Sequence, residues 1–342
     1  MKKVSFVAGK AFHGNTIFNK SQTKLKIGSF GKYHQLFDQF LSNGYEIATD
    51  DINHPDDSDI VLYFDMPRQL PKKEDKHKSY LLAIESSIIK LENFDQQKHD
   101  YFNKIFTWND DFVDGEKYIK ISYAFDLPKI IHKEINREKL CCLIVSNKNS
   151  NFKNELYSER KKLIQWFEEN HPQDFDLYGF GWNSFRFEGC KPIRALNRVP
   201  FLSKIMNQLI GEKFVSYEGK VDSKFETMKK YRFVIAYENV KDENGYITEK
   251  MFDVFIAGCV PIYWGAKNIL DYVPKECFID RRDFEGNEEL YEYMKSMTDE
   301  QYKNYLENIE KYLNSEKAKV FSSKYFAETI VNNCIEKNND DN

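Results

Sequence analysis

One repeated pattern constrains this chain more than any other: a short apolar run closed by turn residues, then a stretch of helical periodicity, then another apolar run. In the first third the runs are KVSFVAG, DIVLYFD (59–65), SYLLAIES (79–86) and KIFTWND (104–110). Consecutive apolar positions over so few residues fit strands covered on both faces, as in a parallel sheet. Between the first two, YHQLFDQFLSNGY predicts a helix that buries Leu36, Phe37, Phe40 and Leu41 and ends at Gly44.

The alternation then starts again. LCCLIVSN (140–147) leads to the helix ELYSERKKLIQWFEENH (155–171), which Pro172 stops. FDLYGFG (175–181), RFVIAYE (232–238), the helix EKMFDVFIAG, VPIYWG (260–265) and CFID (277–280) follow, and 288–332 reads as paired amphipathic helices. The charged stretch 127–139, LPKIIHKEINREK, is the expected linker. A chain of 342 residues is long for one core and suits two α/β, Rossmann-like domains. The expected boundaries are 1–130, 131–315, and 316–342 as a C-terminal helix with a disordered tail, EKNNDDN.

Charge and cysteine usage exclude several classes of partner. Fifty Lys and Arg against 54 Asp and Glu, interspersed, give no basic stripe for nucleic acid. No C-x-x-C pair occurs among the six cysteines, which read as buried free thiols in a reducing compartment. MKKVSFVAGKAFHG reads as a first strand rather than a signal peptide, and no run reaches about 18 apolar residues. The expected setting is cytoplasmic, with no transmembrane segment.

Chemistry concentrates in residues 231–265, YRFVIAYENVKDENGYITEKMFDVFIAGCVPIYWG. Thr248 stands where it would cap a helix, with Glu249 and Lys250 in the first turn, where exposed N–H groups favour a phosphate. A carboxylate at Glu249 can accept both hydroxyls of a ribose, and an ammonium at Lys250 can neutralise a diphosphate. Taken singly, each residue could equally serve the helix end. Glu85 closes the apolar run YLLAIE, where desolvation would raise its pKa into the range of a general base.

The same residues carry a resemblance. The run from Glu238–Asn239 through Y-x-T-E-K to A-G-x-V-P-x-x-x-G resembles the signature of the family 10 fucosyltransferases, α-1,3/1,4-fucosyltransferases that use GDP-fucose. AYENV stands where relatives have AFEN or CFEN. The resemblance is dense over about 40 residues and loose over perhaps 200. It implies a GT-B fold, two Rossmann-like domains facing across a cleft. It also implies that Tyr246, Glu249 and Lys250 bind GDP, with Glu238 and Asn239 shaping the pocket. Asn147, in VSN (145–147), would touch the donor, and Arg160 would be structural. Glu85 would be the base, although Ser86-Ser87 replaces the family's E-S-P or E-P-P. YFNKIFTWNDDFVD (101–114) is similar to a further family element and would set Trp108 and Asn109 on the acceptor side, unless Trp108 is a core aromatic.

One departure is plain. Relatives often carry an arginine near YGFGW, where this chain has Phe180 and Trp182. The second cation for a diphosphate is then sought among Arg186, Arg194, Arg198 and Lys220, and Arg186 is the choice made here. DSD (57–59) and DFD (174–176) read as strand-entry turns, so no essential metal is expected, with room left for stimulation by Mn²⁺. The expected function is inverting transfer of L-fucose from GDP-β-L-fucose to a hydroxyl of a glycan, in protein glycosylation or lipopolysaccharide synthesis. Two alternatives stay open: another GDP-deoxy or deoxyamino sugar, and a non-catalytic glycan-binding protein. The acceptor is not legible in the residues.

Overall fold

The computed structural model describes residues 1–19, 30–185, 187 and 190–335. Two parallel sheets form its frame. The N-terminal sheet contains β1 (Lys2–Val7), β2 (Tyr45–Thr49), β3 (Ile60–Phe64), β4 (Ser79–Ala83), β5 (Ile105–Thr107) and β6 (Tyr118–Lys120), in the order β2-β1-β3-β4-β5-β6. The second contains β7 (Lys139–Ile144), β8 (Phe175–Tyr178), β9 (Tyr217–Gly219), β10 (Tyr231–Tyr237), β11 (Val260–Trp264) and β12 (Ile279–Asp280). Its order, β12-β11-β10-β7-β8-β9, is that of a doubly wound nucleotide-binding sheet, with its switch point between β7 and β10. Both sheets are parallel in every strand pairing.

Strand side chains alternate between the two faces of each sheet. Ile60 and Leu62 of β3 and Tyr80 and Leu82 of β4 join one cluster, whereas Val61, Tyr63, Leu81 and Ala83 join another on the opposite face. Over the first face lies α1 (Gly31–Ser42), which buries Tyr33, Leu36 and Phe40. Leu41, expected in that buried stripe, is 47% exposed, because it lies about 100° around the helix from its buried neighbour Phe40. The second sheet is covered by α2 (Tyr157–Asn170) and α3 (Glu249–Ile256), with α4 (Asn287–Ser296) and α5 (Asp299–Leu313) packed into the same core.

The last helix, α6 (Ser323–Cys334), crosses back. Phe326, Ala327, Ile330, Val331 and Cys334 pack into the N-terminal core beside α1. Residues 336–342, expected to be a disordered tail, lie outside the described residues. The two chain crossings run side by side: Phe125 N–H donates to Phe321 and Ser323 N–H to Phe125, at 2.8 and 2.9 Å. Phe125 also stacks on Phe252 of α3, 4.8 Å between ring centres.

A second contact joins the two domains. Past β5, Trp108 lies against Tyr246 at 4.8 Å, and Asp110 receives Lys120 Nζ (2.5 Å), Tyr272 Oη (2.6 Å) and Asn268 Nδ2 (2.8 Å). Gly245, at φ +81°, sits where any Cβ would overlap the Trp108 carbonyl oxygen and crowd Lys120 and Asp110. Gly245→Ala should therefore lower stability by about 2 kcal/mol or more, through both the left-handed backbone and the overlap. Gly286→Ala, where nothing lies within reach of a Cβ, should cost no more than about 1 kcal/mol, through the poorer cap it gives α4. Urea unfolding of the two variants checks this, and equal midpoints would refute the contact.

Candidate functional site

The chain leaves β10 at the switch point through Glu238, whose side chain is wholly buried. Its carboxylate accepts the Thr248 N–H at 2.8 Å and the Thr248 hydroxyl at 2.7 Å, and lies 3.3 Å from Lys250 Nζ. These bonds staple the end of the strand to the first turn of α3. Thr248 caps that helix, its hydroxyl accepting the Lys250 N–H at 3.5 Å. Lys250 Nζ reaches Thr248 Oγ1 at 3.2 Å and Glu249 Oε1 at 3.3 Å.

Charge at this turn is coupled. Burial drives the Glu238 carboxyl upward, with Lys250 pulling back. For Glu249 burial also works upward, but Lys250, Lys224 and its own backbone N–H outweigh it, and the carboxyl falls to about 2. Lys250 is raised: burial opposes its charge, and Glu249 and Glu238 overcome that. Two carboxylates and one ammonium leave a net negative charge. Glu249 is 37% exposed and Lys250 15%, so both can meet a ligand, whereas Glu238 at 0% can only support them.

Arg160 of α2 is buried and donates to the Tyr237 and Glu238 carbonyls, each at 2.6 Å, and to Asn239 Oδ1 at 3.3 Å. It holds the end of β10, a structural part. Asn239 Nδ2 donates to Tyr246 Oη at 3.4 Å. Tyr246 is 1% exposed and lies in the domain interface, its ring against Trp108 and Tyr123. On the other side of the switch point, Asn147 donates its main-chain N–H to Phe180 and Nδ2 to Gly181. It shapes the turn after β8, which Trp182 anchors through Nε1 to the Val145 carbonyl at 2.8 Å.

Facing this turn from the N-terminal domain is Glu85, just past the carboxyl end of β4. Its carboxyl is raised, foremost by burial, then by the charges of Asp65 and Glu249, with Lys250 and Lys148 opposing. Thus Glu85 and the Glu249–Lys250 pair, far apart in the chain, come within electrostatic reach across the cleft. Trp108 Nε1 and Tyr123 Oη both donate to the Ile84 carbonyl, at 2.8 and 2.7 Å, holding this strand end against the interface. Trp108 is 1% exposed, so it is a core aromatic and not a lining of the acceptor side.

Several residues escaped the sequence reading. Lys32, in the first turn of α1, is 7% exposed and sits over the rings of Tyr33 and Tyr123, at 5.4 and 5.6 Å. Burial lowers it to about 8, against the pull of Glu249 and Glu85. Asp65 and Asn93 bind the backbone of Glu85. Nothing in a lysine at a helix start or an aspartate after a strand would have singled them out. Of the cations proposed for a diphosphate, Arg186 lies outside the described residues. Lys220 stands over the ring of Phe180 at 4.8 Å.

The D-x-D pairs serve the frame. Asp59 takes the Lys3 N–H at 2.7 Å, and Asp174 the Tyr291 hydroxyl at 2.8 Å. Among the described residues no cluster of three or more His, Cys, Asp or Glu could hold a metal ion, and no helix is long and apolar enough to cross a membrane.

Comparison with known proteins gives this geometry its relatives. An α-(1,4)-fucosyltransferase of Arabidopsis thaliana is 44% identical over 73 residues, 21% of this chain and 18% of that protein. The α-(1,3)-fucosyltransferase FucT of Helicobacter pylori is 36% identical over 76 residues, 22% of this chain and 16% of its own length. Each match thus spans under a fifth of the relative. Among solved structures, an α1,3-fucosyltransferase with GDP superposes over 98% of this chain and 91% of its own, with TM-score 0.56 and 15% identity. The glycosyltransferase HepE of Anabaena with UDP covers 97% and 98%, with TM-score 0.52 and 11% identity. These likenesses give the fold, two parallel-sheet α/β domains of the GT-B kind. The family model for the C-terminal region of glycosyltransferase family 10 (fucosyltransferase) matches residues 134–341, more than half of the chain. The chain belongs to glycosyltransferase family 10, the fucosyltransferases.

Proposed function

We propose that this protein transfers L-fucose from GDP-β-L-fucose to a hydroxyl of a glycan, with inversion at the anomeric carbon. The observation that carries the reading is the placement of Glu85 past the carboxyl end of β4 and of Glu249 and Lys250 past that of β10, near enough for the charges of the pair to act on Glu85. Family membership supports the sugar, as does an α1,3-fucosyltransferase solved with GDP-fucose, whose fold this chain shares at TM-score 0.52 and 13% identity.

In this reading Glu249 receives the ribose hydroxyls, since its carboxyl is ionised well below neutral pH. Lys250 meets the diphosphate. Its bonds to Thr248 and Glu249, at 3.2–3.3 Å, are long enough to be exchanged for a phosphate oxygen. Glu238, Asn239 and Tyr246 act from behind, and Asn147 shapes the turn beside the donor. A diphosphate carries more charge than Lys250 offsets, and Lys32 and Lys148 are described cations that face the same carboxylates. Arg186 remains a candidate for that role. The acceptor oxygen forms its bond to the anomeric carbon as Glu85 takes its proton. The bond from that carbon to the phosphate oxygen breaks, and GDP leaves with the electron pair. No metal is required by these steps. The six cysteines are free thiols, five of them buried, which suits a reducing, cytoplasmic setting.

Glu85→Gln should lower transfer by about 10²–10⁴-fold while GDP still binds as in the wild type. Normal turnover in that variant would remove Glu85 as the base. Lys250→Ala should weaken GDP far more than guanosine, and calorimetric titration of both ligands measures it; equal losses would sink the phosphate role. A thermal-shift series tests the donor, because a ligand of the native state raises the melting temperature with its concentration. GDP and GDP-fucose should raise it, and UDP should not. A rise with GDP alone points to another GDP-sugar, and a preference for UDP overturns the proposal.

A further inference from the structure

The residue after β3, Asp65, has φ +59°, a left-handed backbone shared among the described non-glycine residues only with Asn15, Asn154 and Asp242. Such a conformation is disfavoured for residues with a side chain and persists where the surroundings impose it. Here it turns a carboxylate that is only 9% exposed onto the end of the neighbouring strand. Asp65 Oδ1 accepts three hydrogen bonds, from Ile84 N (2.9 Å), Glu85 N (2.9 Å) and Asn93 Nδ2 (2.7 Å). Asn93 Nδ2 also donates to the Glu85 carbonyl at 3.1 Å, and Asn93 Oδ1 takes the Met66 N–H at 2.7 Å. The main chain of Glu85 is therefore gripped at both its N–H and its C=O.

Three donors on one oxygen suit a carboxylate, because an amide oxygen has only two lone pairs to offer. Burial pushes the Asp65 carboxyl upward, and these donors, with Lys90, pull it back toward the ionised form. The clamp therefore holds a carboxylate against the peptide that carries Glu85, and asparagine, which tolerates the left-handed backbone as well, would keep the position without the charge.

We propose that Asp65 is a positioning residue for Glu85: it fixes the peptide from which Glu85 projects and, as a buried anion beside it, makes Glu85 a stronger proton acceptor. The proposal rests on the reading of Glu85 as the base. As Glu85 takes the acceptor's proton its own charge is quenched, and its repulsion with Asp65 is relieved at that step. The interaction is thus better in the transition state than before it, the condition for raising a rate. Other groups face Glu85 too. Glu249 and Lys250 do so from the start of α3, Lys148 from the loop after β7, and Lys32 from α1, with the hydroxyls of Tyr33, Tyr123 and Tyr157 in the same field. Asp65 differs from them in being bonded to the backbone of Glu85 itself.

The test is Asp65→Asn, read in two ways. One is the pH profile of kcat/KM for release of GDP from GDP-fucose with water as acceptor. The other is the titration of the Glu85 side-chain carboxyl by ¹³C NMR, assigned by its loss in Glu85→Gln. The rate needs ionised Glu85, so its acid limb follows the pKa of that group. Removing the Asp65 charge lowers that pKa, and the limb should move down by about one pH unit. On the plateau the weaker base should slow the reaction several-fold, with GDP affinity unchanged. Asn93→Ala loosens the clamp and keeps the charge, so it should lower kcat without moving the limb. A limb and a carboxyl titration that both stay put in Asp65→Asn would overturn the proposal and leave Asp65 a purely structural residue. A carboxyl that moves while the limb does not would show that Glu85 is not the base, which overturns the functional reading and this proposal with it. If Asp65→Asn fails to fold, the wild type decides: a Glu85 carboxyl titrating at or below the ordinary value of about 4.3 overturns the proposal.

Discussion

Everything at this site hangs on one buried carboxylate. Glu238 has no solvent to support its charge, so it must be bonded, and it finds its partners in Thr248 and Lys250. Those bonds close the loop between β10 and α3, and the loop in turn supplies Tyr246 and Gly245 to the other domain. The geometry of a ligand turn and the docking of two domains are thus consequences of a single unpaired charge finding its partners. Taking Lys250 away would leave a buried anion uncompensated, a loss on the order of 3–5 kcal/mol. Lys250, proposed to meet the diphosphate, is therefore also a structural residue, and the two roles separate only when ligand binding and stability are measured apart.

Much of the frame was legible in the residues, for a physical reason. Strands covered on both faces need unbroken apolar runs, and those runs announced β1, β3, β4, β5, β7, β8, β10 and β11, with CFID marking β12. What escaped lies at other edges. β2, YEIAT, carries a glutamate and no long apolar run, and β6 and β9 are only YIK and YEG, so none stands out from a loop. The return of α6 to the N-terminal sheet was invisible as well, since an amphipathic pattern says that a face is buried and not against which partner.

Of the candidate site, the residues that stand in a telling local pattern were legible as candidates, and those whose neighbours lie elsewhere in the chain were not. Thr248, Glu249 and Lys250 stand together in the chain, and their chemistry could be argued from a helix start. Glu85 was readable because a carboxylate closes an apolar run. Asp65, Asn93 and Lys32 reach Glu85 from the turn after β3, a short helical turn at 91–94 and α1, where each is a common residue in an ordinary place. Tyr246 belongs to the motif, and the structure packs it against Trp108 and next to Asn239 inside the interface, a contact the motif alone does not announce.

Four carboxylates thus gather where the cleft meets both strand ends: Glu85, Asp65, Glu249 and Glu238. Their environments pull them apart. Glu249 lies next to Lys250 and is ionised with ease, while burial pushes the Glu85 carboxyl upward. Such a separation divides labour, one carboxylate fit to accept hydrogen bonds as a permanent anion and another fit to take a proton. On the proposed reading the division follows the domain boundary, with the permanent anion, Glu249, on the second sheet and the proton acceptor, Glu85, on the first. A reaction that needs both is then possible only where the two domains meet, which is why the contact of Gly245 and Trp108 belongs to the chemistry as much as to the fold.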